Sequence, residues 1–158
     1  MLSALAMQSA IGDFEVLLVD DGSVEPAPAM VQADDWPMSV RLLIPGRVGI
    51  GQAKNHAIAQ ARGAQLIFTN DDTYPTADFV AQHLAARLEA GRHRWMHLGL
   101  TRWRDWPDEN LFDVLIARSG MIFFYHNLVS RGLYNFRHAW NCNLSVDASA
   151  VQIGRAHV

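Results

Sequence analysis

Two pairs of adjacent aspartates, Asp20-Asp21 and Asp71-Asp72, follow directly or nearly so on short apolar runs, Phe14–Val19 and Leu66–Thr69. Neighbouring carboxylates repel each other and resist joint ionisation unless something positive sits between them. A hard divalent cation held by oxygen ligands supplies that charge, and Mg²⁺ or Mn²⁺ usually completes its shell with water and substrate phosphates. Asp-Asp-Gly-Ser (20–23) is equally a good turn, because Asp offers local hydrogen bonds and Gly a positive φ. What favours chemistry is that both pairs end strand-like runs within one short unit. In an open α/β sheet, ligands bind outside the carboxyl ends of the strands.

The elements that must present these acids alternate along the first half of the chain. Phe14–Val19 is a nearly continuous apolar run, expected of a strand buried on both faces of a parallel sheet. Arg41–Ile44 is a weaker strand, stopped by Pro45-Gly46. Gln52–Arg62 carries alanines and Ile58 at helical spacing, and Gly63 ends it. Leu66–Thr69 is the next strand. A helix starting near Pro75-Thr76 then shows Val80, Leu84 and Leu88 as an i, i+4 stripe, with Gly91 as its stop. Strand and helix in alternation with short links imply an α/β sheet. The second half is loop-rich, with Leu111–Ala117 expected as a short helix and Met121–Tyr125 and Asn141–Val146 as strands.

Composition bounds the reading. The chain has 158 residues, 50% of them apolar and 18% charged, as expected of one ordinary folded domain. Its net charge is −3, with one lysine (Lys54) among 13 basic residues, which argues against a nucleic-acid partner. No apolar run approaches the roughly 20 residues of a membrane helix. A single cysteine, Cys142, excludes an internal disulfide framework and a multi-cysteine metal site. His93 and His97 stand four apart with no third ligand in view, so packing outweighs a metal site. Gly49-x-Gly51 lacks a dinucleotide fingerprint's third glycine, and Lys54 is not followed by Ser or Thr. Trp95, Trp103, Trp106 and Trp140 are read mainly as packing residues, with sugar stacking as the alternative.

Four ordered blocks resemble family 2 glycosyltransferases, which have the GT-A fold: Phe14–Ser23, Gly49–Gly63, Leu66–Pro75 and Trp140–Val146. The similarity extends over about residues 1–151. It implies a GT-A-type, Rossmann-like and mostly parallel sheet flanked by helices. It also implies that Asp21 contacts a nucleotide base, with Asp20 shaping the loop. Lys54 and Asn55 would lie near the base or diphosphate, Asp71 near the ribose or donor sugar, and Asp72 would bind Mn²⁺ or Mg²⁺. The first Asp of the family's Asp-x-Asp is Asn70 here, which leaves Asp72 as the metal carboxylate. The last block, Trp140–Val146, is similar to the family's Asn-Leu-Ser acceptor-side segment.

The function so implied is inverting transfer of a sugar from a nucleoside-diphosphate sugar to a glycan or lipid-linked acceptor. The setting would be the cytoplasm or the inner membrane face, in polysaccharide biosynthesis. A non-catalytic nucleotide- or sugar-binding module is the alternative from another class. A sugar nucleotidyltransferase fits poorly, because its lysine-rich phosphate site has only Lys54 to draw on. By the same resemblance, the family's first strand and its catalytic-base region are not found between Met1 and Gln152. The catalytic base is therefore expected beyond the chain, and the fragment itself is expected to be inactive and marginally stable. Residues 1–152 read as the partial, nucleotide-sugar-binding domain. Ile153-Gly-Arg-Ala-His-Val158 reads as a translated sequencing adapter and is set aside from functional argument.

Overall fold

A computed structural model describes residues 1–10, 12, 14–25, 31, 35–91, 96–104, 110–120, 122–123 and 125–152. The elements in chain order are α1 (Leu2–Leu5), β1 (Glu15–Val19), β2 (Ser39–Leu43), α2 (Ile50–Gln60) and β3 (Gln65–Thr69). There follow α3 (Phe79–Ala90), β4 (His97–Leu98), α4 (Leu111–Ser119), β5 (Asn143–Asp147) and α5 (Ala148–Gln152). Tyr125–Asn127 and Phe136–His138 form 3₁₀ turns. Residues 153–158, read above as an adapter tail, lie outside the described residues. Among the described residues, no helix is long and apolar enough to cross a membrane.

The chain is α/β as expected, but among the described residues the strands form two sheets, one a parallel pair and one antiparallel, rather than the single, mostly parallel sheet expected. β1 and β2 form a parallel pair in register from Glu15↔Ser39 to Val19↔Leu43. β3, β5 and β4 form a second sheet in that order, with β5 antiparallel to both neighbours. The reason lies in the connection. The chain leaves β4 at the carboxyl edge, travels through residues 99–142, and re-enters the sheet from that same edge. β5 must therefore run backwards between two strands that run forwards. Strand burial follows from the split, since every residue of β1 and of β3 is only half-buried, not enclosed on both faces. The most enclosed strand is β5, where Leu144, Ser145 and Val146 are buried.

α2 packs on β1, and one charge cluster ties the two to β2. The Arg41 guanidinium donates to Glu15 Oε2 at 3.0 Å, and to the carbonyl and side-chain oxygens of Gln60 at 3.0 and 3.1 Å. Glu15 Oε1 also accepts the Arg62 backbone N–H at 2.7 Å. Both charged side chains are largely shielded, at 26% and 17% exposure. Glu15→Ala strips Arg41 of its counter-charge in a partly desolvated site and is expected to cost about 1–2 kcal/mol in urea unfolding. Unchanged stability of that variant would show the cluster to be solvated rather than structural.

The N-terminal segment is fastened to α3 by a side chain. Gln8, 3% exposed, donates through Nε2 to the carbonyls of Ala4 and Thr76. Its Oε1 accepts the Val80 N–H at 2.9 Å, serving a first-turn donor of α3 whose own N-cap, Asp78, makes no side-chain cap bond. The inward face of α3 carries Val80, His83 and Ala90, all buried, while Leu88 is 78% exposed. The helix is thus rotated away from the expected Val80/Leu84/Leu88 stripe. Arg87, on the same inward side, reaches Asp147 at 3.2 Å.

Candidate functional site

The first acidic pair leaves the carboxyl end of β1. Asp20 is 6% exposed, and its Oδ1 accepts the Ser23 N–H at 2.8 Å, closing the turn. Asp21 Oδ1 accepts two backbone N–H groups from the segment leading into α2, Val48 at 2.7 Å and Gly49 at 2.9 Å. A carboxylate at this place also meets the positive end of the α2 dipole. One strand-end loop and one helix N-terminus are therefore clamped together by Asp21. Lys54 and Asn55 stand in the second turn of that helix, roughly 8 Å along the axis from Gly49. Lys54 is half-buried and Asn55 exposed.

The turn after Asp21 requires glycine. Gly22 has φ +84°, and an added Cβ would sit 2.8 Å from Arg47 Cβ. Gly22→Ala is therefore expected to lower stability by about 1–2 kcal/mol through backbone strain and displacement of Arg47. Hydrogen exchange should show the Val48 and Gly49 amides opening faster in that variant; unaltered protection there would refute the clamp.

The second acidic pair sits on a turn at the carboxyl end of β3. Thr73 braces the turn: its N–H and its hydroxyl donate to the Asn70 carbonyl at 3.3 and 2.7 Å, and its hydroxyl bonds Thr69 Oγ1 at 2.7 Å. Asp71 and Asp72 are both exposed at the tip. Neither carboxylate accepts a hydrogen bond from another described residue, so both keep their lone pairs for a ligand. Among the described residues, no group of three or more His, Cys, Asp or Glu could hold a metal by itself. Any cation here would need oxygens from its ligand, the arrangement common for Mg²⁺ with substrate phosphates.

The structure thus joins Asp20, Asp21 and the start of α2 at one strand end, and sets Asp71 and Asp72 at the carboxyl edge of the other sheet. Among the described residues no strand pairing links the two sheets. Two of the downstream acids are engaged elsewhere. Asp113 completes a capping box with Asn110 at the start of α4. Asp147 is held below the usual carboxylate range by Ser149, whose hydroxyl and N–H both donate to it, and by Arg87. Asp105, Asp108 and Glu109 lie outside the described residues, as do His93, Trp95 and Trp106. Cys142 is buried with Sγ 3.6 Å from Thr101 Oγ1.

Two features escape the sequence reading. Met121–Tyr125 is not a strand where it is described: Tyr125 opens a 3₁₀ turn, and Met121 and Phe124 lie outside the described residues. Its aromatic rings instead join a cluster with Trp140. Phe123 lies 5.5 Å and Tyr125 4.9 Å from the Trp140 ring, both edge-on.

The other feature is a buried polar chain around His83. Asn143 Nδ2 donates to the Leu100 carbonyl at 3.1 Å, which leaves its Oδ1 to accept from His83 Nε2 at 2.8 Å. His83 Nδ1 then accepts the Ser145 hydroxyl at 2.8 Å, and Ser145 Oγ accepts from Gln65 Nε2 at 2.9 Å. These directions fit a neutral imidazole that donates from Nε2 and accepts at Nδ1. Burial holds the His83 pKa below its ordinary value, despite the Asn143 bond that pulls it up. Asn143 and Ser145, in the block resembling an acceptor-side segment, are thus engaged internally. The signal in the sequence is Asn143-x-Ser145-x-Asp147, a polar alternation opposite apolar Leu144 and Val146.

Comparison with known proteins fits this architecture. Residues 1–144 match the profile of Glycosyl transferase family 2. The chain is also 33% identical over 87 residues to YfnE of Bacillus subtilis (strain 168), described as an uncharacterized glycosyltransferase. That match covers 54% of this chain and 22% of the relative, so the chain spans about a fifth of that protein's length. No solved structure matches significantly. Strand ends bearing acids, a helix clamped to one of them, and a profile match over most of the chain agree: the protein belongs to glycosyl transferase family 2.

Proposed function

We propose that this chain forms the donor-binding part of an inverting glycosyltransferase, which moves a sugar from a nucleoside diphosphate to a glycan or lipid-linked acceptor. The observation that carries this is the Asn70–Thr73 turn, which offers two exposed carboxylates without partners among the described residues at a sheet's carboxyl edge. Family membership supports the reaction class. Asp72 would hold Mn²⁺ or Mg²⁺, and Asp71 would meet the ribose or donor sugar. When bound, the cation neutralises the diphosphate leaving group without proton transfer.

The chain's own residues do the rest of the positioning. Asp21 fixes the loop before α2 with one oxygen and keeps the other for the base. Asp20 holds the turn that aims it. Lys54 adds positive charge near the diphosphate, and Asn55 offers an amide beside it. The catalytic base is assigned to no residue between Met1 and Gln152.

Calorimetric titration with UDP- and GDP-sugars, with and without Mn²⁺, tests the reading. Binding that strengthens about tenfold or more with the cation supports it, since Asp72 would hold the cation and the cation would add charge that attracts the ligand phosphates. Donor binding that ignores the cation would remove the metal from the proposal.

A further inference from the structure

A cleft of about 310 Å³ opens at the carboxyl edge of the β3–β5–β4 sheet, between the segment after β4 and the end of α4. It is lined by Leu100–Trp103, by Ile116–Arg118 of α4, and by Gly120, Phe123, Tyr125 and His126. The sheet braces it directly. Tyr125 donates its hydroxyl to the Gly99 carbonyl at 2.9 Å, and Asn143 Nδ2 holds the Leu100 carbonyl. Gly120, at φ +65°, lets the His126 imidazole lie where any larger residue's Cβ would stand.

Two properties of this lining point to a ligand. First, its ionisable groups that carry or can take positive charge are Arg102, Arg118 and His126, and no acid lines it among the described residues. The Arg102 and Arg118 side chains are in no ion pair or hydrogen bond with a described residue, whereas those of Arg41, Arg87 and Arg131 are each paired. Second, Trp103 and Phe123, with ring centroids 6.4 Å apart, make one apolar wall that Tyr125 extends. Two guanidiniums beside an imidazole match the double charge of a phosphate better than the single charge of a carboxylate. Aromatic faces take the apolar or ring-shaped body attached to it.

β4 runs parallel to β3, because each pairs antiparallel with β5, so the cleft and the Asp71-Asp72 turn share one sheet edge. We propose that the cleft is a second binding site that takes an acceptor bearing a phosphate group next to an apolar or sugar-ring body, with Arg102 and Arg118 as its specificity-determining residues. This names the acceptor class for the transferase reading above and rests on that reading. The site is separate from the donor carboxylates, since neither Asp71 nor Asp72 lines the cleft.

The test is calorimetric titration of the full chain with phenyl phosphate, glucose 1-phosphate and neutral phenyl glucoside, without metal. Phenyl phosphate should bind about tenfold or more tightly than phenyl glucoside, and R102Q/R118Q should erase that preference. Glucose 1-phosphate against phenyl phosphate then tells whether a sugar or an apolar body is preferred. Equal affinity for charged and neutral probes, or an undiminished preference in R102Q/R118Q, overturns the proposal. Should the double variant lose its circular dichroism spectrum, ionic strength decides: phenyl phosphate affinity must fall with salt while phenyl glucoside affinity does not, and a flat response overturns it. UDP with Mn²⁺ is titrated in parallel. UDP binding without phenyl phosphate binding defeats only this site; the reverse defeats only the donor reading.

Discussion

Asp72→Ala is expected to abolish the Mn²⁺-dependent part of donor-sugar binding, weakening the affinity for a UDP- or GDP-sugar about 10- to 100-fold. The size follows from the ligand count. Asn70 stands where a further carboxylate would otherwise be expected, and no third metal-ligating side chain is grouped with Asp71 and Asp72 among the described residues. With so few protein oxygens on offer, a cation held by Asp72 would lose most of its anchorage when that carboxylate is removed. Asp71→Ala should weaken binding less and leave the metal dependence in place. The Thr73 hydroxyl still closes the turn in both variants, so neither should unfold the protein. Calorimetry at fixed Mn²⁺ separates the two; a D72A protein that still responds fully to the cation would disprove the assignment.

His83→Ala is expected to have the largest effect on stability, about 3 kcal/mol. The substitution opens a hole at a residue 5% exposed and leaves two partners, the fully buried Ser145 hydroxyl and Asn143 Oδ1, without their bonds. It also releases the carbonyl of Leu100 indirectly, because Asn143 is free to turn. A double variant H83A/S145A should lose less than the sum of the two singles, since both break the same bond. Urea unfolding of the four proteins gives the cycle; strict additivity would mean that the chain of bonds contributes nothing jointly.

The same imidazole sets a pH dependence. An unfolded histidine protonates around its ordinary value of 6.5, and burial depresses the folded value at both His83 and the neighbouring His97. Below that pH the unfolded chain binds more protons than the folded one, so stability must fall as pH drops from about 7 to about 5. The groups facing His83 are His97 on β4, Ser145 and Asn143 on β5, and Gln65 on β3, none of them an acid that could compensate. His83→Ala should flatten this slope in part, leaving the share due to His97. A slope unchanged by the substitution would place the titration elsewhere.

The elements that carry the acids were legible because their signals are local. β1 and β3 are short apolar runs ended by Asp or Asn, and α2 and α3 end at the Ala61–Gly63 and Gly91 breaks that the composition announces. What stayed hidden depends on partners far along the chain. The rotation of α3 is set by His83 and Arg87 finding Asn143, Ser145 and Asp147, residues about sixty positions away. The direction of β5 shows only in its antiparallel pairing with β3 and β4, which its own residues do not announce. Phe123 and Tyr125 have strand-like composition, but rings from Trp103 and Trp140 gather them into a cluster, and a run this short lacks a period to decide between the two. The turn held by Asp20 could be read from Asp-Asp-Gly-Ser; the clamp of Asp21 on Val48 and Gly49 could not, since it spans 27 and 28 positions.

The position of β5 has a consequence for how the molecule reaches its native state. Among the described residues β3 and β4 are joined in the sheet through β5, and the bond from Gln65 to Ser145 closes a loop of 80 residues. On the ribosome, Leu66, Ile67 and Phe68 emerge well before the strand that will pair with them. Until it arrives, β3 presents an apolar ribbon with unpaired amides, a waiting state open to proteases and to other chains. Such long-range closure slows folding and lengthens the interval during synthesis in which this chain is exposed to loss.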